Sequence, residues 1–374
     1  MFAFNDFSLL GALILFITST LAHDILLPEL LGKYSVGTTS FSLNNAATQR
    51  DLMIYAHYPT TSTHHPLAHN WDTTFETWLS AYSNFPPNSS LILTRAHSNA
   101  PLLSASFPIL IFGPGYGEPV RFSGRQTMSN LASQGYIVFG LDHPNDTQII
   151  QYPNGTVVYH EEDDNITPPE YAELIPYVNN RISDINFLVS QLRNDSIVSA
   201  IPGLSHGLDF EKAGILGFSL GGAAAASTML TNPIFACGIN MDGAFIGNIT
   251  DLGLDKPFLM MNSMTHQWAS DFTWPRFYSN LRGFRKDIQI NGTRHKSYSD
   301  WLILKNLLVP GDSDPANQEL ISGRRMLEIA DAYLTSFFDW CLKNGTGELL
   351  FDDDPKGAGF PEVSFITENS TSSR

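Results

Sequence analysis

One serine of the chain lies in a setting that suits a nucleophile. Residues 214–226 read GILGFSLGGAAAA, so an apolar run leads to Ser219, which glycines flank, and then to a block of alanines. The apolar run predicts a buried strand and the alanine block predicts a tightly packed helix. Ser219 is then expected on the turn between them, the geometry of a Gly-x-Ser-x-Gly nucleophile elbow.

A serine hydroxyl becomes a useful nucleophile when a histidine accepts its proton and a carboxylate orients that histidine. Asp242 follows the predicted strand at 235–241, and His295 follows the predicted strand at 286–290. Because the carboxyl ends of parallel strands meet at one edge of a sheet, both side chains can reach Ser219. The order Ser, Asp, His is typical of α/β-hydrolases. We therefore predict these three residues as a catalytic triad.

Other residues compete for the acid and base positions. Asp271 follows the next strand and is an alternative acid, whereas Asp242 could simply cap a turn. His143 and His266 also follow predicted strands, so both are expected to line the same crevice. Only His295 comes after the final predicted strand, which favours it as the base.

Acyl transfer also needs hydrogen-bond donors for the oxyanion of the tetrahedral intermediate. In α/β-hydrolases, these are the backbone N–H after the nucleophile and one from the loop after the third strand. The corresponding groups are the N–H of Leu220 and an N–H of the loop GPGYG at 113–117, where we choose Tyr116. An ordinary Gly/Pro turn is the alternative interpretation of this loop.

Strands that alternate with helices must position these residues. We predict strands at 37–43, 51–57, 107–112, 136–141, 213–216, 235–241, 257–261 and 286–290, helices at 121–134, 182–192, 274–281 and 322–342 and directly after Ser219, and a hairpin at 151–160. This alternation predicts an α/β fold with a mostly parallel central sheet and helices on both faces. No linker interrupts it, so one domain is expected at 23–374, with an insertion at about 60–104 that packs over the domain and a polar tail from about 350.

Composition limits the partners. The chain has 374 residues, 43% of them hydrophobic, and a formal net charge of −16, so nucleic acid is not expected as a partner. A small-molecule or lipid ester is expected instead. His64, His65 and His69 lie in a Pro-rich segment without a Cys or acidic ligand at zinc spacing, and we predict no metal and no cofactor.

The amino terminus and the sequons indicate export. An apolar stretch at 7–17 is followed by small residues, so residues 1–22 are interpreted as a cleaved signal peptide, with an uncleaved anchor as the alternative because no basic residue precedes the stretch. Asn-x-Ser/Thr sequons, which can carry glycan in the secretory route, begin at Asn88, Asn145, Asn154, Asn165, Asn194, Asn248, Asn291, Asn344 and Asn369. The two cysteines, Cys237 and Cys341, could form one disulfide or remain buried thiols.

The sequence resembles the secreted platelet-activating-factor acetylhydrolases and their fungal lipase-like relatives. The motifs that carry the resemblance are GFSLGG at 217–222, the Gly-Tyr-Gly loop, LASQGYIV at 131–138, DHP at 142–144, PFLMMNS at 257–263 and HKSYSD at 295–300. The similarity extends over roughly 31–342. In this family the acid follows the sixth strand rather than the seventh, which is where Asp242 lies and which favours it over Asp271.

The resemblance implies hydrolysis of a short acyl chain at the second position of an ether or oxidised phospholipid, without a metal. The insertion at 60–104 and the acidic segment at 160–164 depart from the family pattern and could reshape the acyl or headgroup pocket. Two alternatives stay open: a general secreted carboxylesterase or polyester hydrolase, and a catalytically silent binding protein built on the same fold.

Overall fold

The computed structural model describes residues 24–83, 85, 92–104, 106–160, 172–311, 319–351 and 354–366. The predicted signal peptide lies outside these residues, as do the sequons at Asn88, Asn165 and Asn369 and most of the acidic segment at 160–164.

A large sheet forms the centre of the molecule. The strands are β1 Ile25–Leu26, β2 Ser35–Asn45, β3 Arg50–Thr60, β4 Leu67–His69, β5 Ile92–Ser98, β6 Ile109–Gly113, β7 Ile137–Asp142, β8 Ile149–Gln151, β9 Val157–Tyr159, β10 Ala213–Phe218, β11 Phe235–Met241, β12 Phe258–Ser263, β13 Arg285–Ile290 and β14 Val363–Ile366. The order across the sheet is β1-β5-β2-β3-β7-β6-β10-β11-β12-β13-β14, with β4 on β5, and β8 and β9 form a separate hairpin. The six strands from β7 to β13 in this order run parallel, which brings their carboxyl ends to one edge.

Helices cover both faces of the sheet. They are α1 Thr73–Ser83, α2 Val120–Ser123, α3 Arg125–Ser133, α4 Ile175–Gln191, α5 Asp195–Val198, α6 Leu220–Thr231, α7 Ile249–Leu252, α8 Thr273–Asn280, α9 Trp301–Leu308, α10 Gly323–Lys343 and α11 Glu348–Phe351. Neighbouring residues of a strand point to opposite faces. In β10, Leu216 packs in a cluster with residues of α3 and α10, whereas Ile215 packs in a cluster with residues of α4, α6 and α8. The predicted α/β-hydrolase class, with a mostly parallel sheet between two helical layers, is confirmed.

Two segments contribute more to the sheet than their sequences indicated. We expected the insertion at 60–104 to pack over the domain, but its strand β5 pairs in parallel with β2 and extends the sheet. The segment after 350 was expected to be a polar tail, yet β14 pairs antiparallel with β13 and covers the far edge. His295 therefore follows the last parallel strand rather than the last strand. Both added strands lie near sheet edges, where hydrophobic patterning is weak.

Cys237 and Cys341 form a disulfide bond between strand β11 and helix α10, across 104 residues of sequence. The sequence had left a disulfide and two buried thiols equally open. The bond ties α10 to the strand next to the one that ends at Ser219. It thereby fixes one of the helical layers against the sheet beside the predicted site.

Among the described residues, neither a membrane-spanning helix nor a metal-binding cluster is present. Within those ranges, no helix combines the length and apolar character that a membrane crossing requires. No group of three or more His, Cys, Asp or Glu side chains in the same ranges could hold a metal ion. The ring centroids of His64 and His65 lie 4.7 Å apart, and Nδ1 of His65 contacts the carbonyl oxygen of Ser98.

A buried carboxyl group in β13 leads to a prediction about stability and pH. Asp287 is fully buried and accepts hydrogen bonds from Trp268 Nε1 at 2.7 Å and Asn262 Nδ2 at 2.8 Å. Burial raises its pKa from 3.8 to about 7. Between these values the folded state holds a proton that the unfolded state has lost, so the free energy of unfolding should fall as pH rises from about 4 to about 7, by at most about 1.4 kcal/mol per pH unit for one group.

The substitution Asp287→Asn should reduce this pH dependence, because an amide does not titrate. Urea denaturation at about pH 5 and about pH 7.5 measures the difference in the free energy of unfolding, and we expect a smaller difference in Asp287→Asn than in the wild type. Asp142, Asp300 and Asp331 are also buried with raised pKa values, so part of the dependence remains. The exposed Asp209→Asn is the control. An identical pH difference in wild type and Asp287→Asn would contradict the prediction.

Candidate active site

Ser219 lies on a sharp turn between strand β10 and helix α6. Its backbone has φ 54° and ψ −123°, a left-handed conformation that is strained for a residue with a side chain. The motif glycines let the helix approach the strand this closely, because a Cβ on Gly217 would lie 2.1 Å from the carbonyl carbon of Gly221. The buried alanines at 223–226 allow α6 to lie against the sheet. The hydroxyl is therefore presented at the carboxyl edge of the sheet, as the motif predicted.

The structure brings Ser219, Asp242 and His295 together. His295 Nε2 lies 3.0 Å from Ser219 Oγ, and His295 Nδ1 lies 2.7 Å from Asp242 Oδ2. The serine and the aspartate are 76 and 53 residues away from the histidine in sequence. With its hydrogen on Nδ1 facing the carboxylate, the imidazole presents Nε2 as an acceptor for the serine proton. This arrangement can activate a hydroxyl.

Each partner comes from the loop after a strand. Asp242 directly follows β11, has φ 59° and is fully buried. The backbone N–H of Ser263 donates to its Oδ1 at 2.6 Å. His295 begins a short 3₁₀ turn after β13, and its side chain is half exposed. Burial alone would raise the pKa of Asp242, but interactions with His266 and His295 outweigh burial and lower it, which keeps the carboxylate charged.

The Gly/Pro loop after β6 is held in place by a buried arginine, whose role was not predicted from the sequence. Arg181 of α4 donates to the carbonyl oxygens of Pro114 and Gly115, and to both carboxylate oxygens of Asp146 at 2.6 and 2.8 Å. Gly117 N–H also donates to Asp146. With its carbonyl groups bonded to Arg181, the loop is a fixed element rather than an ordinary turn. The residues around Arg181 do not indicate this role, because their pattern is that of an ordinary amphipathic helix.

The chain is similar to one group of proteins by sequence. A family model described as "Platelet-activating factor acetylhydrolase, isoform II" matches residues 195–334, which contain all three members of the triad. A protein of Arthroderma benhamiae named "Probable 1-alkyl-2-acetylglycerophosphocholine esterase" is 28% identical over 69% of this chain and 66% of its own length. A platelet-activating factor acetylhydrolase of Gallus gallus is 22% identical over 56% of this chain and 58% of its own length. The matches thus cover less than two thirds of these relatives.

By sequence, the chain thus resembles the platelet-activating-factor acetylhydrolases. A solved structure agrees on the fold: a ferulic acid esterase from Streptomyces cinnamoneus superposes with a TM-score of 0.78 at 23% identity, over 92% of this chain and 100% of that one. The resemblance inferred from the sequence motifs is confirmed.

His143 does not line the crevice, and our expectation for it was wrong. Its side chain is fully buried, with Nδ1 2.9 Å from Asp184 Oδ2. Arg50 forms a two-pronged ion pair with the same carboxylate, at 2.8 and 2.7 Å. Burial lowers the pKa of His143. The carboxylate on α4 therefore draws the imidazole into the interior, although the residue follows a strand as an active-site histidine does.

His266 does lie in the crevice, beside the predicted acid. Its Nδ1 is 3.3 Å from Asp242 Oδ1, and its Nε2 is 2.8 Å from Asp271 Oδ2. Asp271, the alternative acid, therefore contacts His266 and reaches the triad through it. Burial alone would lower the pKa of His266, but the two carboxylates raise it to about 10. The His266 side chain is thus a cation at neutral pH.

A pocket of about 340 Å³ opens at the serine. The N–H groups that we predicted for the oxyanion belong to Tyr116 and Leu220, and both residues line this pocket with the triad. The rest of the wall divides into an apolar side and a polar side. The apolar side includes Leu174, Ala244 and Ile246, and the polar side includes Thr265, His266, Ser270 and Asp271. The site can therefore hold a small apolar group beside a polar one.

Proposed function

We propose that this protein is a serine ester hydrolase in which Ser219, His295 and Asp242 form the catalytic triad. The observation that carries the proposal is the continuous contact from Ser219 Oγ to His295 Nε2 at 3.0 Å and from His295 Nδ1 to Asp242 Oδ2 at 2.7 Å. Ser219 Oγ attacks the ester carbonyl carbon while its proton passes to Nε2. The backbone N–H groups of Leu220 and Tyr116 stabilise the oxyanion.

The intermediate collapses when His295 gives its proton to the leaving alcohol, which leaves an acyl group on Ser219. A water molecule then attacks the acyl carbon, and its proton passes to His295 Nε2. A second collapse releases the carboxylic acid and returns the proton to Ser219 Oγ. Asp242 keeps its negative charge throughout and stabilises the imidazolium that forms in each half of the reaction.

The proposed substrates are ether or oxidised phospholipids that carry a short acyl chain at the second position. The names of the sequence relatives support this choice, as does a pocket whose apolar side is small. Two exposed apolar side chains, Ile175 and Phe272, directly follow the pocket residues Leu174 and Asp271. They favour transient contact with a lipid surface during catalysis.

A hydrolysis panel tests the substrate class. The acetyl, butanoyl, octanoyl and palmitoyl esters of one ether phosphocholine are compared with matched simple alkyl, feruloyl and polyester substrates. We expect the highest kcat/KM for the acetyl phospholipid, and a loss of about tenfold or more for each long-chain ester because the apolar wall is short. Equal rates for simple and phospholipid acetyl esters would favour a general carboxylesterase. Failure of Ser219 to react with a fluorophosphonate would favour a silent binding protein.

Secretion and glycosylation are part of the same proposal. The apolar stretch at the amino terminus, the disulfide bond and the sequons support it, since disulfides persist in oxidising compartments. The six sequon asparagines in the described part of the chain, Asn145, Asn154, Asn194, Asn248, Asn291 and Asn344, are all exposed. When the chain is expressed in a eukaryotic cell, the protein should be recovered from the culture medium. It should begin near residue 23 and should lose mass on treatment with a peptide N-glycosidase. Retention in the membrane fraction would favour the uncleaved anchor.

A further inference from the structure

We propose that His266 is a positioning residue for the triad, an imidazolium that bridges the carboxylates of Asp242 and Asp271. Its positive charge offsets part of the negative charge that these carboxylates place near His295. The inference rests on the proposed function of Ser219, His295 and Asp242. It assigns His266 no contact with substrate and no proton transfer, because both of its ring nitrogens face carboxylate oxygens.

The geometry fixes the charge of the bridging ring. A neutral imidazole has one N–H and one acceptor nitrogen, and an acceptor nitrogen facing a carboxylate oxygen is repelled. His266 places Nε2 2.8 Å from Asp271 in a hydrogen bond and Nδ1 3.3 Å from Asp242 in an ion-pair contact, an arrangement that favours hydrogen on both nitrogens. The raised pKa of His266, about 10, agrees with this protonation.

Neighbouring side chains hold the imidazole ring of His266 in place. Thr273 donates to Asp271 Oδ1 through its backbone N–H at 2.8 Å and its hydroxyl at 2.6 Å, which fixes the outer carboxylate. The indole of the fully buried Trp274 packs edge-to-face against the imidazole, with centroids 4.6 Å apart. The His266 side chain is only 15% exposed. A connected line of polar contacts thus runs from Thr273 through Asp271 and His266 to Asp242.

The positive charge of His266 changes the electrostatic environment of His295. Asp242 stabilises protonated His295, and a carboxylate without a neighbouring cation would stabilise it more. Among the described residues, the other ionisable groups near this pair include Asp271 on the loop after β12 and Asp287 on β13, which are negative when ionised, and the buried phenol of Tyr298. Without His266, the negative charge of Asp242 and Asp271 near His295 would be uncompensated and would stabilise the imidazolium that forms during catalysis more strongly. With His266 in place, part of that charge is offset.

His266→Gln removes the charge and keeps a side chain that can bond to one carboxylate. We expect the acidic limb of the pH profile of kcat/KM to move to higher pH by on the order of one unit. His266→Lys restores a cation and should return the limb toward its wild-type position. Asp271→Asn removes a negative charge instead, and should move the limb to lower pH or leave it in place, never upward.

The measurement is kcat/KM for a soluble p-nitrophenyl ester from about pH 5 to about pH 9, with circular dichroism for folding. His206→Gln is the matched control, since His206 is exposed, lies 4.0 Å from Asp195 and is not among the residues that line the pocket. A uniform loss of activity in His266→Gln with an unmoved acidic limb would show a purely structural role and overturn the inference. If His266→Gln does not fold, an upward shift in Asp271→Asn would overturn it.

The two proposals fail in different ways. If the wild-type protein neither hydrolyses esters nor reacts with a fluorophosphonate, the proposed function is wrong. If the wild type is active and the limb does not move among the folded variants of His266, the triad assignment stands and only the role of His266 is wrong.

Discussion

Ser219→Ala is expected to lower kcat for ester hydrolysis by about 10⁴-fold or more, because it removes the hydroxyl that contacts His295 and is proposed to carry the acyl group. The hydroxyl lies 3.0 Å from His295 Nε2, directly before helix α6, and the residues of both proposed oxyanion donors, Tyr116 and Leu220, line the same pocket. Steady-state turnover of p-nitrophenyl acetate measures the loss, and reaction with a fluorophosphonate probe should disappear with it.

Ser227→Ala is the matched control for this prediction. Ser227 is a buried serine of the same helix, so its replacement makes the same chemical change away from the triad. It should retain both turnover and labelling. Circular dichroism should show that Ser219→Ala remains folded. If Ser219→Ala kept wild-type turnover, the nucleophile would be another residue and the proposed mechanism would be wrong.

The positions of the triad could be predicted because each member has a local signal. Ser219 and Asp242 each follow a short apolar run of the kind that parallel strands with buried faces produce, whereas His295 follows the more polar strand RKDIQI and a short turn. The order Ser, Asp, His along the chain then indicated that the carboxyl ends of these three strands would meet at one edge of the sheet. The strand at 235–241 was predicted with its observed bounds, whereas β10 continues two residues beyond its predicted end, up to the serine.

Local sequence could not separate His143 from His266. Both follow a parallel strand, and both were expected in the crevice. Their surroundings differ through partners that the strand pattern does not reveal: Asp184 of α4 binds His143 in the interior, whereas Asp242 and Asp271 bind His266 at the pocket. Arg181 shows the same limit, because its role depends on the carbonyl groups of a loop that lies 66 and 67 residues away. Side-chain direction is set by tertiary partners, which periodicity does not encode.

The two candidate acids were also indistinguishable from spacing alone, and their contacts now separate them. Asp242 Oδ2 faces His295 directly, whereas Asp271 contacts His266. Asp242→Asn is expected to lower kcat by about 10⁴-fold, because an amide can hold His295 in the wrong tautomer and cannot stabilise its positive charge. Asp271→Asn should lower kcat by no more than about tenfold, since it acts through His266 and leaves the Asp242 contact in place.

Steady-state kinetics of the two variants, measured side by side at the pH optimum of each, test this ranking. The two substitutions make the same chemical change at residues that line the same pocket, so each is the control for the other. Fluorophosphonate labelling should slow strongly in Asp242→Asn and only slightly in Asp271→Asn, because the reactivity of Ser219 depends on the orientation of His295. The reverse ranking would mean that His295 turns toward Asp271 when substrate binds, and the acid would then follow β12 rather than β11.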